Sequence, residues 1–153
     1  MDIADVLKHT SPELFLPDLK SNDKQSALEE MVDGLVAGTT ITRRETILQM
    51  LHSREELGST AVGPGVAFPH GRTLAVQKLT ILMARAREGI DFDSEDGEPT
   101  YLFFVLIAPP QDSGHKYIKS LAALTERLQD SGLRDRLMAA EDFESFCGVL
   151  QEG

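Results

Sequence analysis

Among the side chains of this chain that could move a proton or a small group, His70 has the most telling neighbours. It follows Phe68-Pro69, and a proline pushes the residue before it toward extended geometry. Gly71 comes next and is expected to leave the far side of the imidazole uncrowded. A histidine at the exit of a buried strand, beside glycine-rich loops, is held by rigid elements and open to a partner, which suits nucleophilic or proton-transfer work. His115 follows Pro109-Pro110-Gln111-Asp112-Ser113-Gly114 and falls in the first turn of an expected helix. Free amides and the macrodipole there favour a bound anion and a neutral imidazole, although a histidine at such a point can equally cap its own backbone. Arg54 lies one turn before Gly58-Ser59-Thr60. Either it is a surface cation at a helix C-terminus, or its guanidinium folds over the glycine loop toward His70, where a planar fork matches phosphate oxygens. Sequence leaves both placements open. His9 and His52 stand in polar surroundings and read as solvated surface residues.

Other chemistries lack support. Two candidate histidines with no cysteine partner and no HExxH spacing make a poor zinc site, which needs three or four ligands, and the expectation is no metal and no cofactor. Gly63-Pro64-Gly65 matches neither a dinucleotide fingerprint nor a Walker A loop, and no G-x-S-x-G occurs. Fifteen Lys+Arg against twenty-five Asp+Glu leave a net charge of −10, which disfavours nucleic acid and anionic membrane as partners. No apolar run approaches the ~18 to 20 residues that span a bilayer. The first residues, Met1-Asp2-Ile3-Ala4-Asp5, lack the basic and apolar regions of a signal peptide, so a cytoplasmic protein is expected. The single cysteine, Cys147, cannot form an internal disulfide.

The elements that must position these residues follow from periodicity. Ser21-Asn22-Asp23 offers oxygens to the free amides of a helix start, and Leu28, Met31, Val32, Leu35 and Val36 recur at helical spacing, so a helix is expected over about residues 23–37. Thr42 and Glu45 have the spacing of a capping box for a second helix carrying Ile47, Leu48 and Leu51, ended by Gly58. Between residues 58 and 71, four glycines and two prolines interrupt short apolar pieces, giving loop and short strand. Residues 79–84 and 101–108 are continuous apolar runs of strand length, which implies central strands covered on both faces. Asp112 or Ser113 is expected to cap a helix through Ile118, Leu121, Leu124 and Leu128. A short helix over about residues 133–139 and a last one carrying Phe143, Phe146, Cys147 and Leu150 follow, with Cys147 a small buried hydrophobe. The order fits one α/β layer structure over residues 1–153.

With these residues in view, the run from Arg54 through Gly58-Ser59-Thr60-Ala61-Val62-Gly63-Pro64-Gly65-Val66-Ala67-Phe68-Pro69-His70-Gly71 resembles the signature of the mannitol/fructose/nitrogen-regulatory class of enzyme IIA domains of the bacterial phosphoenolpyruvate-dependent phosphotransferase system. Downstream, the strand to Ala108, the Pro-Pro turn and His115 with Leu121-Ala122 resemble the family's second histidine region, so the likeness runs from about residue 14 to 150. It implies an α/β/α sandwich with a central mixed sheet flanked by helices. It implies that His70 accepts a phosphoryl group from a phosphohistidine on HPr or its nitrogen-branch paralogue. Arg54 and His115 would flank that group, and amides near Gly58, Ser59 and Thr60 would help neutralise its oxygens, without a metal. Absence of a IIB domain and of membrane helices leans toward the free-standing regulatory branch. The alternatives are a sugar-specific IIA passing phosphate to a separate IIB, a non-catalytic binding module and a metal-dependent hydrolase. Two departures stand out: Phe68, where a smaller aliphatic residue is commoner, and Lys116-Tyr117, where a hydrophobic residue often follows the histidine directly. Val62, Val66 and Phe68 are candidates for a carrier-docking surface.

Overall fold

A computed structural model describes residues 1–152. The chain opens with a short helix α1 (Ile3–Val6), two 3₁₀ turns and a two-residue strand β1 (Phe15–Leu16). Helices α2 (Lys24–Gly38) and α3 (Arg44–Glu56) follow, then strands β2 (Val66–Ala67), β3 (His70–Arg72), β4 (Thr80–Ile90) and β5 (Thr100–Ala108). Helices α4 (Lys116–Arg127), α5 (Ser131–Ala139) and α6 (Phe143–Gln151) complete it.

The start of α2 is where the sequence places it, because the Asp23 carboxylate accepts the Ser26 amide at 2.8 Å. The start of α3 corrects the expected capping box. Its N-cap is Arg43, with no side-chain cap, and the Glu45 carboxylate instead pairs with Arg44, which also bonds Asp33 on α2 at 2.5 Å. A guanidinium one residue away competes better for a carboxylate than a single backbone amide does.

The sheet runs β1-β4-β5-β2, with β3 also beside β5, and only the β4–β5 pair is antiparallel. Side chains alternate between faces along a strand, and both faces of the central strands are apolar. Leu82, Ala84, Phe103, Val105 and Ile107 meet α2 and α3 on one side. Ile81, Met83, Leu102, Phe104 and Leu106 meet α4, α5 and α6 on the other. That two-sided burial explains the uninterrupted apolar runs, and each such side chain fully removed from water contributes about 1.5–3 kcal/mol. Strand β4 continues well past the apolar run that marked it. It does so because Arg85, fully buried, donates to the carbonyls of Pro17 at 3.0 Å, Leu137 at 2.8 Å and Ala140 at 2.6 Å. This guanidinium fastens the end of α5 to the segment after β1.

Candidate functional site

Strands β2 and β3 lie on the same flank of β5, separated only by Phe68 and Pro69. Val66 and Ala67 pair with Leu102 and Phe103, and His70, Gly71 and Arg72 pair with Leu106, Ile107 and Ala108. Proline has no amide to donate, so the ladder breaks there, although the Pro69 carbonyl still accepts the Leu106 amide at 3.0 Å. The break turns the Phe68 carbonyl toward the imidazole of His70, whose Nδ1 lies 2.5 Å from it. A carbonyl can only accept, so Nδ1 carries the proton and Nε2 keeps its lone pair. Half-buried, the imidazole is held below the usual histidine range, first by burial and then by the Arg54 charge; the Phe68 bond and Glu55 act in the opposite direction. His70 is therefore neutral near pH 7, with one defined tautomer.

Alternation along β3 sends His70 and Arg72 to the face of Leu106 and Ala108, and Gly71 to the opposite one. A methyl group at Gly71 would overlap the Met50 sulfur of α3. The glycine thus leaves room for the Met50 side chain of the helix behind the strand, which corrects the expectation that it clears space around the imidazole.

Arg54 takes the folded-back placement. From the last turn of α3 its Nη1 donates to the Gly58 carbonyl at 2.9 Å, and its charge reaches both His70 and Tyr117. The loop beside it is braced from within. The Gly58 amide donates to the Glu55 carbonyl at 3.1 Å, and the Thr60 amide donates to Glu55 Oε1 at 3.1 Å. The Ser59 hydroxyl donates to the Phe92 carbonyl at 2.6 Å. The amides of Gly58 and Thr60, expected to face a phosphoryl group, are engaged inside the protein: that of Gly58 closes the end of α3, and that of Thr60 satisfies the buried Glu55 carboxylate.

His115 sits in left-handed backbone geometry at the head of α4, its side chain exposed and its amide bonded to the Asp112 carbonyl at 3.0 Å. The ring against His70 is that of Tyr117, two residues on: the centroids are 6.0 Å apart. Sequence reasoning missed this residue, along with Arg72, whose guanidinium lies 4.7 Å from the Tyr117 ring centroid on β3's side. Asp112 does cap the helix, through Oδ2 and the Tyr117 amide at 2.6 Å. Of the docking candidates, Val62 is exposed, while Val66 and Phe68 belong to the core, where Phe68 stacks on Phe104 at 5.8 Å. Cys147 is partly buried, and burial pushes its thiol up to about 11, which leaves it unreactive at neutral pH.

No three His, Cys, Asp or Glu side chains gather into a metal-holding group among the described residues. The groove of about 740 Å³ between residues 8–11, 38–43 and 74–80 is not lined by His70. The imidazole is partly buried, and Leu57 (85% exposed) and Ile118 (52%), next to the Gly58 loop and to Tyr117 in the chain, are bare apolar residues. Exposed apolar side chains of this kind suit contact with another protein. No helix among the described residues is long and apolar enough to cross a membrane.

The open mixed α/β sheet, with helices on both faces, carries a neutral, tautomer-fixed histidine on strand β3, within reach of the Arg54 charge. The chain belongs to the family described as phosphoenolpyruvate-dependent sugar phosphotransferase system, EIIA 2, whose model matches residues 8–153. It is 39% identical over 150 residues to a nitrogen regulatory protein of Bradyrhizobium diazoefficiens, covering 98% of this chain and 95% of that one. It is 34% identical over 152 residues to a fructose-specific EIIA component of Haloferax volcanii, covering 99% and 98%. In structure it is similar to the nitrogen regulatory protein IIA-Ntr of Neisseria meningitidis, with a TM-score of 0.86 at 29% identity, covering 94% of this chain and 97% of that one. Members of the family are phosphotransferases of a phosphohistidine relay, taking phosphate from HPr-type proteins.

Proposed function

We propose that His70 is the phosphoryl acceptor of this IIA domain, taking the group through Nε2 from a phosphohistidine of HPr or its nitrogen-branch paralogue. The observation that carries this reading is the 2.5 Å contact between His70 Nδ1 and the Phe68 carbonyl. It fixes the proton on one nitrogen and leaves the other as a nucleophile on the open side. In the transfer, the donor's P–N bond breaks as the P–Nε2 bond forms, while His70 keeps its Nδ1 proton. The transition state is loose and in-line, so positioning and charge stabilisation supply the catalysis. Arg54 provides the nearest guanidinium for the phosphoryl oxygens. Residues 58–60 act by holding that guanidinium and the Glu55 carboxylate in place.

The reading extends to a regulatory role in which the phosphorylation state decides which target protein is bound. The full-length similarity to the Bradyrhizobium nitrogen regulatory protein supports it. The similarity to the Haloferax fructose-specific component supports a second reading, in which the phosphoryl group moves on to a separate IIB protein. Either relay works where phosphoenolpyruvate is made, in the cytoplasm.

Incubation with phosphoenolpyruvate, enzyme I and HPr tests the assignment. Acid-labile phosphate should appear on the wild-type chain and not on His70→Ala; equal labelling of both would overturn it. A purified fructose IIB that drains the label supports the transport reading, and label stable in its presence supports the regulatory one.

A further inference from the structure

We infer that the Tyr117 hydroxyl, on the ring that packs against His70 and Arg72, donates a hydrogen bond to the phosphoryl oxygens on His70, in the place the second histidine was expected to fill. The inference rests on His70 being the acceptor and adds two residues to that site.

Three independent features place Tyr117. The phase of β3 puts His70 and Arg72 on one face, two residues apart, and the Tyr117 ring packs over both, 6.0 Å from the imidazole and 4.7 Å from the Arg72 guanidinium. Its backbone is pinned by the 2.6 Å bond from its amide to Asp112 Oδ2. Its ring is in the core cluster beside Leu106, with the whole residue only 5% exposed. The ring is therefore fixed at two edges and from beneath.

The hydroxyl is free to act. It has no hydrogen-bond partner among the described residues, and it is not sealed away among the buried unpartnered atoms. Burial pushes the phenol pKa up, with the charges of Arg72 and Arg54 pulling against it. The phenol is thus protonated at neutral pH, a donor rather than an anion. Both guanidinium charges act on it, and that of Arg72 lies against the ring itself, 4.7 Å from its centroid. A phosphoryl group on Nε2 has three oxygens, and the phenol adds a neutral donor to the charge that Arg54 brings to His70, while Arg72, whose Nη1 reaches the Pro109 carbonyl at 3.5 Å, lies against the ring that carries it. The phenol keeps its proton throughout, and no bond other than the two P–N bonds changes.

Single-turnover transfer from phospho-HPr, followed by rapid quench, tests the inference together with the ³¹P spectrum of phosphorylated His70. Tyr117→Phe keeps the ring and removes only the oxygen. It should slow transfer about tenfold and move the phosphohistidine ³¹P resonance. Arg72→Gln, a change on an exposed side chain, should slow transfer in the same direction, and His115→Asn should transfer at the wild-type rate. Wild-type rates and an unmoved ³¹P resonance in Tyr117→Phe, or an effect of His115→Asn matching that of Arg72→Gln, would overturn the inference. If Tyr117→Phe is unstable by thermal unfolding, Arg72→Gln and His115→Asn decide the question between them. Labelling of His70→Ala would instead bring down the acceptor assignment itself, so the two failures are distinguishable.

Discussion

Glu55 holds Thr60 by two bonds, its carboxylate accepting the Thr60 amide at 3.1 Å and the Thr60 hydroxyl through its other oxygen. Lys24, on α2, reaches the same carboxylate at 2.9 Å. One buried anion thus joins the start of α2, the end of α3 and the glycine loop that supports Arg54. Glu55→Ala would leave the Lys24 ammonium and the Thr60 amide without their partner. It should lower stability by about 2 kcal/mol, read as a shifted urea midpoint at constant slope. Glu55→Gln, which keeps one acceptor oxygen, should lose less. Equal midpoints for wild type and Glu55→Ala would show that the loop is held by something else.

The titration of His70 follows from its surroundings. Burial and Arg54 outweigh the Phe68 bond and Glu55, so the folded value lies below the ordinary one. An unfolded histidine titrates near about 6.5. Between the folded value and that one, the unfolded chain binds more protons than the folded chain, so stability rises with pH across the window. The contribution is complete above the unfolded value and is lost as pH falls through the folded one. Phosphoryl acceptance also needs the neutral ring and should decline over the same acidic range. An NMR titration of the His70 ring nitrogens gives the midpoint directly, and a midpoint above 6.5 would contradict the balance drawn here.

Arg85 offers a different test, remote from the site. Among the described residues it has no carboxylate partner; its Nε and Nη1 donate to main-chain carbonyls, two of them at the end of α5, while its Nη2 is buried without a partner. A cation there also complements the helix dipole. Arg85→Ala would strand those acceptors and open a cavity under β4, and it should reduce stability by about 3 kcal/mol or more. Because it touches none of His70, Arg54 or Tyr117, phosphoryl transfer below the melting range should keep its wild-type rate. A stable Arg85→Ala chain would mean that water replaces the guanidinium without penalty.

The parts of the fold legible in sequence were those with a strong period or a local cap. The apolar runs that became β4 and β5 could only be covered on both sides, and Asp23 and Asp142 stood where their carboxylates accept helix amides. His70 was legible because Pro69 and Gly71 mark it. Tyr117 was not, since an aromatic residue one turn into an amphipathic helix reads as core, and only the register of β3 on β5 brings it over the imidazole. The two-residue strand β1 carries no alternation to detect. The strand was expected to stop at residue 84, before Arg85, because a buried guanidinium depends on carbonyls 52 and more residues away. The Gly58 and Thr60 amides were expected to face outward because nothing in the sequence marks Glu55, a carboxylate on the last turn of α3, as buried.

Arg54 joins the titration of His70 to its reactivity, so a single substitution there should move both. Its guanidinium is held by the Gly58 carbonyl at 2.9 Å and contributes to the depressed pKa of the imidazole. Arg54→Gln removes the charge while keeping a donor of similar reach. The His70 midpoint should rise toward the ordinary histidine value, and transfer from phospho-HPr should slow by about 10- to 100-fold as the phosphoryl oxygens lose a charged donor. Arg54→Lys retains the charge without the planar fork. It should preserve most of the pKa depression yet recover only part of the rate, because a point charge cannot bind two oxygens at once. Were Arg54→Lys to restore rate and midpoint together, the guanidinium would be acting through its charge alone.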